Sequence, residues 1–191
     1  MRKIEISPAA VAVLCVLFYL DPQTCFEPFV FAAVLHEVGH LLALLSMGVP
    51  IYSLKISCFG AVISAAPLSD GRQIVCSLAG PAVNLTLFCF TARFAPHFAA
   101  VNALLAAYNL LPIAPLDGGV ALRSALSLFC LPARQRKIGS AVQAVVLTVC
   151  AAAALYGTFV VRCGIWPLLL FGALVVRLPR EKPVAKMARL P

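Results

Sequence analysis

The chain has 191 residues, of which 62% are hydrophobic and 12% are charged. A soluble domain has roughly half of its residues apolar and about a quarter charged, so this composition excludes an ordinary soluble protein. The net charge of +8 does not indicate a nucleic-acid partner, because the basic residues cluster between apolar runs and at the two ends of the chain. That distribution is typical of cytoplasmic loops in contact with anionic lipid. We therefore predict a multi-pass membrane protein that lies in a lipid bilayer and binds no nucleic acid.

The apolar runs predict about six transmembrane helices, because a helix needs roughly 20 apolar residues to cross a bilayer. They cover about residues 4–20, 25–47, 72–94, 98–131, 138–161 and 165–176. No convincing cleavage site of small residues follows the first run, which we interpret as an uncleaved first span. Residues 177–191 are basic and contain three prolines, which predicts a cytoplasmic tail. From its length we expect a single transmembrane domain over residues 1–191.

Residues 51–66 follow a different pattern, in which apolar and polar side chains alternate with the period of a β-strand. This stretch is too short to span a membrane as a helix, and Phe59-Gly60 offers a turn in its middle. A β-hairpin with unpaired edges must lie at the membrane interface or line a cavity. The predicted fold is therefore an all-α multi-pass membrane protein with a small β-hairpin between the second and third spans. The alternating residues are Tyr52, Leu54, Ile56 and Cys58 against Ser53, Lys55 and Ser57.

The basic residues orient these spans. With the N-terminus inside, the predicted cytoplasmic segments hold twelve Lys and Arg residues, and the outer loops hold only Arg93 and Arg162. Such an excess is typical of the cytoplasmic side. We predict a location in the cell membrane with both termini in the cytoplasm. The twelve residues are Arg2, Lys3, Lys55, Arg72, Arg134, Arg136, Lys137, Arg177, Arg180, Lys182, Lys186 and Arg189.

One pentapeptide, His36-Glu37-Val38-Gly39-His40, stands in an apolar run over residues 29–45 that otherwise carries no charge. On a helix, His36 and His40 lie on one face a turn apart, where they offer two ligands to a zinc ion. Glu37 beside them can take a proton from a water molecule. Ionisable residues within a span are costly, which favours a functional role. The alternative, two histidines that pack against another helix, does not explain why Glu37 accompanies them.

Asp117 is the candidate third ligand. It follows Pro112 and Pro115, which predict an extended or kinked segment over residues 111–116 within the fourth span. The second and fourth spans run in the same direction, and we expect Asp117 at a depth comparable to that of His36. Two imidazoles and one carboxylate leave the fourth position of zinc open, as in catalytic sites. The alternative role of Asp117 is that of a helix N-cap in an Asp-Gly-Gly turn, which can coexist with metal binding.

Three motifs occur in order along the chain: His36-Glu37-x-x-His40, Gly80-Pro81-x-x-Asn84, and Asn109-Leu-Leu-Pro112-Ile-Ala-Pro115-Leu-Asp117-Gly118-Gly119. Together they resemble the site-2 proteases, the intramembrane zinc metalloproteases of peptidase family M50. The resemblance covers residues 29–131, and we expect a protease core over 25–131. The first motif alone is a moderate signal, but the combination in this order and at these distances is specific. The small size and six spans are most similar to the sporulation factor IVFB branch, here without the CBS domain that many of its members carry.

The resemblance implies roles for individual residues. It places Asn109 near the metal, where its side chain would help to hold the substrate or the oxyanion. Asn84 is a second candidate for substrate binding, with hydrogen bonding between helices as the alternative. The implied centre holds one zinc ion, with the ligands His36, His40 and Asp117 and with Glu37 as general base.

The predicted function is that of an intramembrane endopeptidase that cuts membrane proteins with a transmembrane segment. Regulated intramembrane proteolysis of a membrane-tethered regulator, such as a pro-sigma factor, is one such role. A helical substrate must unwind to expose its carbonyls, and the 51–66 hairpin offers a strand for it to pair with. We expect a substrate, the bilayer and a regulatory membrane protein as partners. The alternatives are an inactive zinc-binding membrane scaffold, which would not need Glu37, and a metal transporter, which more often has charged sites on several spans and a repeated half.

Overall fold

The computed structural model describes residues 3–8, 26–57, 60–162 and 165–178, with Val11, Cys15 and Tyr19 as isolated further positions. Most of the predicted first span and the predicted tail beyond residue 178 lie outside the described residues. Within the described part, the strands are β1 (Lys3–Ile6), β2 (Ile51–Ser57) and β3 (Gly60–Ala65). The helices there are α1 (Phe26–Ser46), α2 (Asp70–Thr91), α3 (Pro96–Asn109), α4 (Asp117–Phe129), α5 (Pro132–Phe159) and α6 (Trp166–Arg177).

Three of these helices, α1, α2 and α5, are long and apolar enough to cross a membrane, and residues 167–176 form a shorter apolar helix. This holds for the described residues and rests on the length and composition of the helices. Together with the hairpin that β2 and β3 form between α1 and α2, these helices confirm the predicted fold class. The protein is a mostly helical membrane protein with a small β-sheet.

The predicted fourth span consists of two helices. α3 ends at Asn109 and α4 begins at Asp117, so the prolines of the intervening segment stand between helices and not inside one. At 1.5 Å per residue, each helix is about 20 Å long, which is less than the roughly 30 Å of a bilayer core. Residues 110–116 therefore form an irregular segment between two half-length helices, at the point where the candidate ligand Asp117 stands.

The fifth helix starts earlier than the predicted residue 138. α5 begins at Pro132, and its first turns carry Arg134, Arg136 and Lys137. Proline is well suited to the first position of a helix, since its fixed φ fits and its missing N–H would have no partner there. Hydropathy locates only the apolar part of this helix, whereas the backbone hydrogen bonds continue into the charged part.

The sheet has three strands in the order β1-β2-β3. β1 pairs in parallel with β2, from Lys3 opposite Ser53 to Ile6 opposite Ile56. The sequence assigned residues 4–6 to the first span, and the structure differs because this short segment finds hydrogen-bond partners on a distant strand. β3 pairs antiparallel with β2 and lies at the edge of the sheet.

A small core joins the sheet to the ends of two helices. Its buried members are Leu44 of α1, Val49 of the connection to β2, and Cys76 of α2. Residues Met47, Ile51, Ile63, Ala65, Ala66 and Leu68 pack against them. The sheet is thereby held against α1 one helical turn beyond His40.

α2 is the central helix of the described structure, since it packs against α1, α3 and α4. Its contact with α1 is close at Gly39, where a β-carbon would lie 2.9 Å from the carbonyl oxygen of Ala79 and 3.1 Å from the α-carbon of Gly80. Small residues at a crossing let two membrane helices approach closely. This approach brings the histidines of α1 against the backbone of α2.

Helices α5 and α6 pair with each other and reach the rest of the molecule through a second apolar cluster. Leu174 of α6 is 2% exposed and packs with Ile113 and Leu116 from the irregular segment. The segment that precedes Asp117 is thus covered by the last described helix.

Candidate metal centre

The structure brings His36, His40 and Asp117 together from two helices. The Nε2 atoms of the two histidines lie 3.1 Å apart, and the Oδ2 atom of Asp117 lies 3.0 Å from Nε2 of His36 and 3.4 Å from Nε2 of His40. The exposed fractions of His36 and His40 are 5% and 9%. Three atoms that commonly bind metals therefore converge on one point inside the helical part of the protein.

Hydrogen bonds at Nδ1 fix the ring orientation and the tautomer of both histidines. Nδ1 of His36 donates to Oδ1 of Asn84 at 2.6 Å, and Nδ1 of His40 donates to the carbonyl oxygen of Cys76 at 2.7 Å. A carbonyl oxygen can only accept, so Nδ1 carries the proton in both neutral rings. Each Nε2 then has a lone pair, which is the arrangement found in metal-ligating histidines whose second nitrogen donates to an oxygen.

A bound cation would account for this arrangement. Two lone pairs and a carboxylate oxygen that face one another at 3.0 to 3.4 Å repel unless a positive charge lies among them. In a tetrahedral zinc site with bonds of about 2.0–2.1 Å, neighbouring ligand atoms lie about 3.3–3.4 Å apart. The separations in this cluster are close to that spacing. The donor set of two imidazoles and one carboxylate also fits zinc and leaves a position open.

Gly80 keeps the space beside the histidines open. A β-carbon on Gly80 would lie 2.5 Å from Nε2 of His40 and 2.8 Å from Nε2 of His36. Any side chain at this position would therefore occupy the volume next to Nε2 of both histidines. The glycine of the Gly-Pro-x-x-Asn motif therefore contributes to the candidate centre because it has no side chain.

Asp117 is held in place by the tight fold of the chain before it. A β-carbon on Gly118 would collide with the carbonyl of Leu110 and lie 2.7 Å from the carbonyl oxygen of Leu111. A β-carbon on Gly119 would collide with the backbone of Ile113. The two glycines let residues 110–113 fold back against the first turn of α4. Asp117 stands at the first position of that helix, and the N-cap residue is the preceding leucine.

The remaining predicted site residues lie around this cluster. Glu37 follows His36 on α1 and is half-buried. Asn109 is the last residue of α3, is half-buried, and donates from Nδ2 to the carbonyl oxygen of Leu105 at 3.1 Å. Asn84 is fully buried beside His36, in the position that favours the inter-helix alternative over substrate binding. The catalytic and substrate-binding roles of these three residues remain predictions.

Sequence reasoning missed Asn102, which is fully buried on α3 and hydrogen-bonded to Asn84. A signal was present, because Asn102 is the single polar side chain between Phe98 and Tyr108. Polar side chains in apolar helices commonly form hydrogen bonds between helices. The backbone carbonyl of Cys76 was also missed, and no sequence pattern would have shown it.

Comparisons with known proteins point to one family. A family model described as peptidase family M50 matches residues 88–153, a range that contains Asn109 and Asp117 but not the two histidines. A curated candidate zinc metalloprotease of Synechocystis sp. is 32% identical in an alignment 108 residues long, which covers 49% of this chain and 28% of that protein. The match therefore spans less than a third of the relative's length.

The fold is similar to that of a solved structure. The site-2 protease from Methanocaldococcus jannaschii superposes with a TM-score of 0.64, covering 94% of this chain and 92% of that one, at 19% sequence identity. The similarity at this level of identity is one of fold, and it extends over almost the whole chain.

Proposed function

We propose that the chain is a member of peptidase family M50, the site-2 proteases, and that it is an intramembrane zinc metalloendopeptidase. Its substrate would be a membrane protein, cut in or near a transmembrane segment. The observation that carries the proposal is the convergence of His36, His40 and Asp117, whose metal-binding atoms face one another at 3.0 to 3.4 Å inside a helical membrane protein. A purely structural zinc site would have a fourth protein ligand, whereas the cluster of His, Cys, Asp and Glu side chains found among the described residues consists of these three.

The proposed chemistry divides between the metal and Glu37. His36, His40 and Asp117 would hold the zinc ion, which would supply Lewis acidity toward a water molecule and a peptide carbonyl. Glu37 accepts the proton of the attacking water and afterwards donates it to the leaving amine. Its position on α1, next to one ligand and three residues before the other, keeps its carboxylate at the level of the metal centre.

Asn109 is proposed to bind the substrate. It ends α3 just before the irregular segment, and its amide can donate to a carbonyl oxygen that becomes negatively charged during the reaction. Asn84 is proposed to have a different role from the one that the sequence suggested. Its amide is fully buried and committed to His36, Ala32 and Asn102, so we assign it to the support of His36.

The sheet is proposed to hold the unwound substrate as an added strand. β2 is flanked by β1 and β3, so a new strand would add at one of these two outer strands, and we propose β3, where Val62 is 56% exposed. The proposal is supported by the packing of the sheet on Leu44, which lies one turn beyond His40 on α1. Pairing through backbone hydrogen bonds suits a protease, because it holds the substrate in an extended conformation and depends little on the side chains of the substrate.

The proposed orientation places both termini in the cytoplasm and admits water from that side. In this orientation the end of α1 that contacts the sheet faces the cytoplasm. The basic residues Lys55 of β2 and Arg72 of α2 lie on the same side, as the excess of cationic residues on cytoplasmic segments requires. Water and the unwound substrate would then reach the metal centre past the sheet.

Co-expression with candidate single-span membrane proteins tests the function. Wild type should release a cleaved fragment, and Glu37→Gln should abolish cleavage while the purified protein retains one zinc per chain by elemental analysis. Glu27→Gln, on the exposed first turn of the same helix, is the matched control and should cleave normally. Cleavage by Glu37→Gln would overturn the mechanism. A wild-type protein that binds no zinc would contradict both the protease and the zinc-binding scaffold.

A further inference from the structure

Asn102 is a fully buried amide in α3, and both ends of its side chain make hydrogen bonds. Its Nδ2 donates to the carbonyl oxygen of Phe98 at 2.8 Å, and its Oδ1 accepts from Nδ2 of Asn84 at 2.8 Å. The carbonyl of Phe98 can only accept. The amide nitrogen of Asn102 must therefore face Phe98, and its amide oxygen faces Asn84.

The orientation of Asn84 follows from two acceptors. Its Nδ2 donates to Oδ1 of Asn102 and also to the carbonyl oxygen of Ala32 at 3.1 Å. Both partners require a donor, so the amide nitrogen of Asn84 faces them and its Oδ1 faces the other way, toward His36. The oxygen and nitrogen of an amide side chain can exchange places with little change in shape, so the hydrogen-bond partners determine the orientation.

His36 completes the series of hydrogen bonds. Its Nδ1 lies 2.6 Å from Oδ1 of Asn84, so Nδ1 carries the proton and Nε2 keeps its lone pair. The hydrogen bonds run in one direction from Phe98 through Asn102 and Asn84 to His36, and the carbonyl of Ala32 is a second acceptor that orients Asn84. The series joins α1, α2 and α3, and the three side chains in it, those of Asn102, Asn84 and His36, are buried.

We propose that Asn102 is a positioning residue for the metal centre, which orients Asn84 and through it holds His36 in the tautomer whose Nε2 can bind zinc. The role rests on the zinc site proposed above. Loss of the Asn102 oxygen would leave the carbonyl of Ala32 as the remaining anchor of Asn84. A turned Asn84 would present its NH₂ group to Nδ1 of His36, which would then accept the bond and move the ring proton to Nε2.

Two substitutions separate this role from simple packing. Asn102→Leu keeps the approximate volume and removes the acceptor. Asn102→Asp restores it, because a carboxyl group held neutral by apolar surroundings can donate its O–H to Phe98 and accept from Asn84. Thr86→Val is the matched control, since it removes a side-chain hydrogen bond to the carbonyl four residues earlier on an exposed position of α2.

The experiment uses the full chain in detergent and has two readouts. The first is the zinc dissociation constant measured against a competing chelator. The second is the ¹⁵N NMR spectrum of histidine-labelled, zinc-free protein, in which the shifts of the two ring nitrogens report the tautomer. The sequence has only three histidines, so His36 is assignable by comparison with His36→Ala.

Asn102→Leu should weaken zinc binding by roughly tenfold, the lower end of what loss of a supporting hydrogen bond costs metal sites. Its zinc-free spectrum should show protonated Nε2 at His36. Asn102→Asp and Thr86→Val should match wild type in both readouts. Wild-type affinity and an unchanged tautomer in Asn102→Leu would overturn the proposal, as would a folded Asn102→Asp that loses affinity. A wild type without zinc affinity would instead refute the zinc site, while the zinc-free spectrum would still report on Asn102.

Discussion

The α-carbon of Gly80 faces the ring of His40 so closely that a β-carbon on it would lie 2.5 Å from Nε2. The same β-carbon would lie 2.8 Å from Nε2 of His36. The ring of His40 is fixed at Nδ1 by the carbonyl of Cys76 and cannot retreat without breaking that bond. The pair therefore couples the backbone of α2 to the geometry of the metal centre.

If the proposed centre binds zinc, Gly80→Ala should lose zinc affinity by at least about tenfold, because the added methyl group displaces Nε2 of both histidines. Chelator competition on the purified variant measures the loss. Gly71→Ala is the matched control in the same helix, where a β-carbon would meet no described heavy atom within 4 Å. The control should bind zinc as wild type does, and equal affinities of the two variants would contradict the geometry.

Removal of the metal should lower thermal stability. Zinc bound to the folded state at one hundred times its dissociation constant contributes about 2.7 kcal/mol, so a strong chelator should lower Tm measurably. His40→Ala should abolish this effect of the chelator. His97→Ala changes the remaining histidine, which is exposed on α3, and should leave the effect intact. A chelator effect that persists in His40→Ala would place the ion elsewhere.

Much of the centre was accessible from sequence because its chemistry is concentrated in few residues. His36, His40 and Asp117 are ionisable groups in apolar runs, and Pro112 and Pro115 predicted the break that the structure has between α3 and α4. The structure brings these three ionisable residues together, as their pattern predicted. Their binding of zinc stays a prediction.

Other features depend on contacts that no local pattern encodes. β1 is four residues long and exists through its pairing with a strand some 50 positions away, so its alternation is too short to detect. Gly80 matters through a close approach of two helices, which spacing along one chain does not reveal. Asn102 carried a signal, as a lone amide in an apolar helix, but its partner became visible only when α2 and α3 were placed side by side.

The turn into α4 should tolerate no side chain at Gly118. Alanine there would push against the carbonyls of Leu110 and Leu111 and displace the first turn of α4, which carries Asp117. We expect Gly118→Ala to lose both thermal stability and zinc affinity. Gly139→Ala in α5, where a β-carbon would have open space among the described residues, should keep both and gain up to about 1 kcal/mol of helix stability.

The edge of β3 should contact the substrate. Val62→Cys in the Glu37→Gln background should form a disulfide with a cysteine placed next to the cleavage site of a co-expressed substrate, detected by a gel shift that reductant reverses. Val145→Cys is the control, because this residue is comparably exposed, at 63% against 56%, but lies on α5. Equal crosslinking at both positions, or at the control alone, would exclude β3 as the substrate-binding edge.

The packing of Leu174 should tie the last described helix to the metal centre. Leu174 is 2% exposed and contacts Ile113 and Leu116, which precede Asp117. Leu174→Ala leaves a cavity, and since lipid reduces the apolar contribution to packing in a membrane, we expect a loss on the order of 1–3 kcal/mol. Leu170→Ala in the same helix, at a residue that is 54% exposed, should cost much less. If the irregular segment depends on this contact, Leu174→Ala should also weaken zinc binding. A variant that loses stability but keeps zinc affinity would show that residues 110–116 hold Asp117 without help from α6.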